Sequence, residues 1–89
     1  MLEKDIEIIN KLGLHARAAT KLANKANAFS SSITISYAGK DIDAKSIMSL
    51  MLLAAAKGST IKITTSGSDE QLAMDEITSL VSDRFGEDE

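Results

Sequence analysis

His15 is the only histidine of this 89-residue chain, and it stands within Gly13-Leu14-His15-Ala16-Arg17-Ala18-Ala19-Thr20. An imidazole nitrogen is a competent nucleophile near neutral pH. Gly13 permits a tight backbone path into a helix whose first turn begins at or just after His15. The N–H groups of Ala16, Arg17 and Ala18 would point out of that turn, where an anion is favoured. Arg17 adds a fixed positive charge matched to phosphate oxygens. These parts fit a histidine that carries a phosphoryl group, held by backbone N–H groups and Arg17 loosely enough to be passed on. The same pattern also fits an exposed histidine or a helix cap without chemistry, and the local residues leave both readings open. A metal centre would need further ligands from scattered carboxylates, because the chain has no cysteine and no spaced His/Cys cluster. Nothing pairs a serine with His15 for a hydrolytic triad.

The elements that must position His15 follow from hydrophobic spacing. Leu2, Ile6 and Ile8 alternate with Glu3, Asp5 and Glu7, with Lys4 breaking the pattern, so residues 2–9 read as a strand. From Ala16 onward, Ala19, Leu22, Ala23 and Ala26 recur at helical spacing while Lys21, Asn24 and Lys25 face out. This helix is expected to end near Asn27, with Phe29 packed beneath its end. Ile33-Thr34-Ile35-Ser36-Tyr37 alternates, and Ala38-Gly39 turns it into a second strand over residues 40–44. Ser46 opens a helix over residues 47–57 that Gly58 stops. Thr60-Ile61-Lys62-Ile63-Thr64 is a further strand, and Ser68-Asp69-Glu70-Gln71 fits a capping box opening a last helix. Ala73, Ile77, Leu80 and Val81 give that helix its buried stripe, Arg84 and Gly86 its stop, and Glu87-Asp88-Glu89 a frayed, solvated tail. The order β-α-β-β-α-β-α predicts an α+β fold: four strands in one sheet, three helices over its apolar face, and Thr34, Ser36, Lys62 and Thr64 on the wet face.

Composition narrows the function classes. The length predicts a single domain over residues 1–89. A net charge of −3 without a Lys/Arg cluster argues against nucleic-acid binding. No apolar run is long enough to span a bilayer and no signal peptide opens the chain, so neither membrane insertion nor secretion is expected. The lack of cysteine is compatible with a reducing cytoplasm.

The stretch from Gly13 to Thr20 closely resembles the active-site motif of the HPr family. These are the histidine-containing phosphocarriers of the bacterial phosphoenolpyruvate-dependent phosphotransferase system. The resemblance runs over essentially the whole chain, through Asn10-Lys11-Leu12, Lys45-Ser46-Ile47-Met48-Ser49-Leu50 and Ala56-Lys57-Gly58. It implies an open-faced β-sandwich with three helices over a four-stranded antiparallel sheet. It also implies that His15 accepts a phosphoryl group from enzyme I, through the ring nitrogen nearest the backbone, and donates it to an enzyme IIA, with Arg17 stabilising the phosphate. Such a protein is a stoichiometric carrier, not a turnover enzyme, and needs no cofactor. One departure is Ala18, where the family most often has proline. Alanine restores an N–H donor that could face the phosphate.

The resemblance further implies regulation at Ser46, the residue that some family members offer to an ATP-dependent HPr kinase/phosphorylase. A phosphate there would gain from the helix dipole. In the helix that follows, Ile47, Met48 and Met51 are expected to form an exposed patch near His15, with Leu50, Leu53 and Ala54 turned inward. Flexible methionines suit a surface that accepts several partners in turn. Thr20, Lys21 and Lys45 complete the expected partner-binding set, and Lys21, Lys25 and Lys45 would steer acidic partners. A monomer is expected. Two other readings stand beside the sugar-transport carrier. One is the nitrogen-related carrier branch, to which the acidic end and residues 54–58 are similar. The other is a regulatory module that docks on a transcription factor or enzyme through Ser46 and the apolar patch.

Overall fold

The computed structural model describes residues 1–87. Among them the chain forms β1 (Leu2–Glu7), α1 (Ala16–Ala26), β2 (Ser32–Tyr37), β3 (Lys40–Asp43), α2 (Ile47–Leu53), β4 (Thr60–Ser66) and α3 (Glu70–Ser82), then a 3-10 turn, Arg84–Gly86. The strands make one sheet in the order β1-β4-β2-β3, with every pairing antiparallel. The period-two pattern sets the register: Ile6 stands opposite Ile61, and Ile35 is flanked by Ile63 and Ile42. Ile33, Ile35, Ile61 and Ile63 face the helices and are buried with Leu22, Leu50, Ile77 and Val81 in one core. Thr34, Ser36, Lys62 and Thr64, one residue out of phase, lie on the open face and are exposed or half-buried.

α1 behaves as its spacing requires. Ala18, Ala19, Leu22, Ala23 and Ala26 are all buried, and Phe29 packs against the core just beyond the C-cap, Asn27. Small alanines let this helix lie close to its neighbours. The β2–β3 connection is the expected two-residue turn, with Ala38 and Gly39 both at positive φ, 52° and 80°. That geometry matches the twist of the strands it joins.

Three local expectations are corrected. The helix read over residues 47–57 ends at Leu53, and Ala54, at φ 55° in the left-handed region, caps it with an N–H donated to Met51. Alanine favours helix, but residues 54–57 are needed elsewhere. Ala55 is buried and its carbonyl accepts the Leu14 N–H at 2.9 Å, and Gly58 donates to the Ile8 carbonyl at 2.8 Å. Ala54 itself is exposed, not turned inward. The capping box at Ser68 does not form: α3 starts at Glu70, and the side chain of its N-cap Asp69 makes no cap hydrogen bond. The Asp69 carboxylate instead accepts from the backbone N–H groups of Ser30 and Ser31 and from both their hydroxyls. Finally, Glu87 is not a solvated tail residue. The chain leaves α3 through Arg84, Phe85 and Gly86, all at positive φ, and Phe85 is fully buried. Glu87 is thereby carried back onto the start of α1. Asp88 and Glu89, the rest of the expected tail, lie outside the described residues.

Candidate functional site

The loop before α1 is stitched at every turn. Gly13 donates to the Asn10 carbonyl at 3.2 Å, and its own carbonyl accepts from His15 N–H at 2.9 Å and from Asn10 Nδ2 at 2.8 Å. Gly13 has φ +67°, and a Cβ there would lie 2.6 Å from the Ala55 carbonyl oxygen and 2.8 Å from Ala56 Cα. Only glycine meets both demands, the left-handed backbone and the close crossing of residues 55–56. The loop therefore delivers His15 to α1 in a fixed position.

His15 is the N-cap of α1. Its backbone is extended (φ −79°, ψ −179°), its carbonyl accepts from Ala19 N–H at 2.8 Å, and its Nδ1 accepts from Arg17 N–H at 3.3 Å. A ring nitrogen that accepts carries no proton. The neutral ring is thus the Nε2–H tautomer, with the Nδ1 lone pair turned toward the mouth of the helix. Nε2–H donates to Glu87 Oε2, and Glu87 Oε1 accepts from Asn10 Nδ2 at 3.0 Å. Burial pushes the Glu87 carboxyl up, but the hydrogen bonds from Asn10 and His15 outweigh it and hold Glu87 below the usual carboxylate range. An ionised Glu87 only accepts, which agrees with the ring's proton lying on Nε2. Both side chains are shielded, His15 with 25% and Glu87 with 14% of its side-chain surface exposed. Asn10 is fully buried, and among the described residues its Oδ1 has no partner. Exchanging its amide O and N would set an oxygen against the Gly13 carbonyl and the Glu87 carboxylate, so the orientation is fixed.

The other expected site residues divide into two groups. Arg17 is exposed, and among the described residues its side chain makes no hydrogen bond or ion pair. Among the same residues, no acceptor meets the N–H groups of Ala16 and Ala18. His15, Arg17 and these donors are therefore brought together at one helix end. Thr20 lies one turn on, its hydroxyl donating to the Ala16 carbonyl at 2.8 Å. Lys21 and Lys45 are tied down. Lys21 Nζ donates to the Phe85 carbonyl at 2.7 Å, and Lys45 Nζ to the Phe29 carbonyl at 2.9 Å. Each ammonium thus secures a chain segment as well as contributing charge. Ser46 is the N-cap of α2, its Oγ accepting from Ser49 N–H at 3.2 Å. Ile47, Met48 and Met51 are exposed on α2 while Leu50 and Leu53 are buried. Leu52, 71% exposed, and Leu12, 66% exposed, are apolar side chains at the surface that were not expected there. Leu52 could have been found by stepping from Met48 at i+4, the same face of the helix.

Two neighbours of His15 were not expected at the site, Glu87, read as a tail residue, and the buried Asn10 that holds it, read only as part of the stretch Asn10-Lys11-Leu12. No local signal marks either, because the contact spans the length of the chain. Among the described residues no cluster of three His, Asp or Glu side chains is placed to hold a metal ion. Nor is any described helix long and apolar enough to cross a membrane.

Comparison with known proteins points to one family. The family profile described as "PTS HPr component phosphorylation site" matches residues 2–83. The chain is 54% identical over 89 residues to the phosphocarrier protein HPr of Cupriavidus necator, covering 100% of both chains. It is 45% identical over 86 residues to the phosphocarrier protein NPr of Shewanella violacea, covering 97% of this chain and 94% of the other. Among solved structures, an HPr from Thermoanaerobacter tengcongensis superposes with a TM-score of 0.96 at 40% identity, covering 100% of both chains.

Proposed function

The chain belongs to the HPr phosphocarrier family of the phosphotransferase system, and from that premise we propose that its residues 1–89 act as one carrier domain in which His15 is the phosphoryl acceptor and donor. The observation that carries this reading is the Nδ1 of His15, held unprotonated by the Arg17 N–H at the N-terminus of α1. The lone pair of Nδ1 forms the bond to phosphorus while the bond to the donor breaks, and the electron pair leaves with the donor. The Arg17 N–H then meets a phosphoryl oxygen in place of the ring nitrogen, and the N–H groups of Ala16 and Ala18 and the Arg17 guanidinium supply further donors. No proton has to leave the ring.

The donor is enzyme I and the acceptor an enzyme IIA, and the protein works as a stoichiometric shuttle in the cytoplasm as a monomer. Ile47, Met48 and Met51, with Thr20, Lys21 and Lys45 around them, form the surface on which both partners dock. Ser46 is the regulatory site, modified by a kinase/phosphorylase. A phosphate on Ser46 would stand beside the docking surface and oppose partners of acidic surface. The nitrogen-related carrier is the second reading, since the chain is also similar to the Shewanella NPr.

The test is intact-protein mass spectrometry at neutral pH with phosphoenolpyruvate, magnesium and a bacterial enzyme I. One acid-labile phosphoryl adduct is expected on the wild type and none on His15→Ala. No adduct on the wild type, even with enzyme I from the same cell, would end the carrier reading and leave a docking module acting through Ser46 and α2.

A further inference from the structure

The Glu87 carboxylate is held at both of its oxygens. One of its oxygens meets Nε2–H of His15 and the other the Nδ2 of Asn10, itself fully buried and orientationally fixed. Lys21 anchors the carbonyl of Phe85, two residues earlier, and Phe85 is locked in the core. The segment that carries Glu87 is therefore clamped from both sides against the ring of His15.

We propose that Glu87 is a positioning residue for phosphoryl transfer, holding the His15 ring in its Nε2–H tautomer and supplying the countercharge when Nδ1 is phosphorylated. This inference rests on the carrier reading above and deepens it. Rotation of the imidazole about its bond to Cβ would turn Nδ1 away from the helix mouth. A carboxylate on Nε2 and an N–H on Nδ1 fix the ring at both nitrogens, so the lone pair stays aimed. A carboxylate behind a histidine does the same elsewhere, setting tautomer and orientation without itself taking a proton. When Nδ1 gains phosphorus while Nε2 keeps its proton, the ring bears a formal positive charge. Glu87 faces that charge in a site sheltered from water, where it counts for more than at an open surface. When the phosphoryl group leaves, the N–P electron pair returns to Nδ1 and the neutral Nε2–H ring is restored. Both directions proceed without proton exchange, as a reversible carrier needs.

Two variants separate the hydrogen bond from the charge. Glu87→Gln keeps an acceptor for Nε2–H and removes the negative charge, whereas Glu87→Ala removes both. In nitrogen-15 NMR of the unphosphorylated protein, a hydrogen-bonded Nε2–H resonance is expected in the wild type and in Glu87→Gln. It should be lost to exchange with water in Glu87→Ala, with the amide signals of Lys21 and Phe85 unmoved in both. With enzyme I and phosphoenolpyruvate, kcat for phosphorylation of His15 should fall about tenfold in Glu87→Gln and at least as much in Glu87→Ala, with KM unchanged. A wild type without the Nε2–H resonance, or a Glu87→Ala protein that retains it, would overturn the positioning role. A Glu87→Gln protein phosphorylated at the wild-type rate would overturn the countercharge. If no form accepts a phosphoryl group, the carrier reading itself fails, while the spectra still decide whether Glu87 holds the ring.

Discussion

At the scale of single residues, the site is a division of labour between two ends of one imidazole. Nδ1 faces the helix mouth and Arg17, and Nε2 faces Glu87. Arg17 carries the one fixed charge of the motif from Gly13 to Thr20, and it is exposed at the helix end where phosphoryl transfer is proposed. Arg17→Ala is expected to slow phosphoryl transfer by about a hundredfold, the effect of removing one well-aimed donor from a developing anion. Arg17→Lys should recover only part of the loss, because an ammonium lacks the planar fork. Rapid-quench measurement of phosphohistidine formation reads both, and equal rates for Arg17→Ala and wild type would remove Arg17 from the transfer step. Asn10 is a structural counterpart. Asn10→Ala leaves the Glu87 carboxylate and the Gly13 carbonyl each one donor short, and should cost about 1–3 kcal/mol in urea unfolding. The placement of His15 and Arg17 at one helix end was legible in the sequence because it is local, an N-cap and a cation inside the first turn of α1. Glu87 and Asn10 were not. The acidic run at residues 87–89 reads as solvated, and nothing local marks Asn10 as a partner for it, until the fold brings Asn10 and Glu87 together.

At the scale of elements, the legible parts are those where period and propensity agree with packing. β1, α1 and the β2–β3 hairpin meet that condition, since their apolar spacing matches the faces they bury. The ends of α2 and the start of α3 do not, because distant partners compete with local preference. Alanines at 54–56 favour helix, but the Ala55 carbonyl is taken by Leu14 and the chain must break first. The break places Ala54 at φ 55°, where its Cβ is strained. Ala54→Gly should relieve that strain, raising stability by about 1 kcal/mol in chemical denaturation. The residue is exposed, so no buried contact is lost. The opposite substitution at the facing position has the opposite sign. Gly13→Ala puts a Cβ against backbone of residues 55 and 56 at a left-handed φ, and should cost about 3 kcal/mol. Because the same crossing fixes the loop that delivers His15, Gly13→Ala should also impair phosphorylation under conditions where it remains folded.

At the scale of the whole molecule, the start of α1, the segment after α2 and the last turn of the chain meet where β1 ends and β4 begins, through Leu14 N–H on the Ala55 carbonyl, Gly58 N–H on the Ile8 carbonyl and His15 on Glu87. The far end is closed by a different polar cluster. Asp69 ties the entry of α3 to the entry of β2 through Ser30 and Ser31. Gly67 lets the two segments touch, since a Cβ there would lie 2.7 Å from Ser31 Cα. The Ser31 hydroxyl, the Ser30 backbone N–H and the remaining N–H and hydroxyl of this pair together outweigh desolvation and draw the Asp69 carboxyl from 3.8 down to about 2. A folded-state value below the unfolded one means that the unfolded chain binds the proton first as pH falls. The stabilisation from Asp69 is therefore complete above about pH 4, and it is lost as pH drops through 3.8 toward about 2. Glu70 and Glu87 are also held below the ordinary carboxylate range, Glu70 chiefly by the Gly67 N–H, so they act in the same direction. Asp69→Ala should lower the melting temperature at pH 7 and flatten, without abolishing, the fall in melting temperature between pH 4 and pH 2. The residual slope belongs to Glu70 and Glu87. Calorimetric scans of both proteins across that range decide it, and parallel curves would show that Asp69 titrates alike in the folded and unfolded chain. Because the cluster lies at the opposite end from His15, the same variant should be phosphorylated at the wild-type rate at neutral pH while it stays folded. The molecule would then be stabilised by acid-sensitive carboxylates at both ends, with only the pair at His15 engaged in transfer.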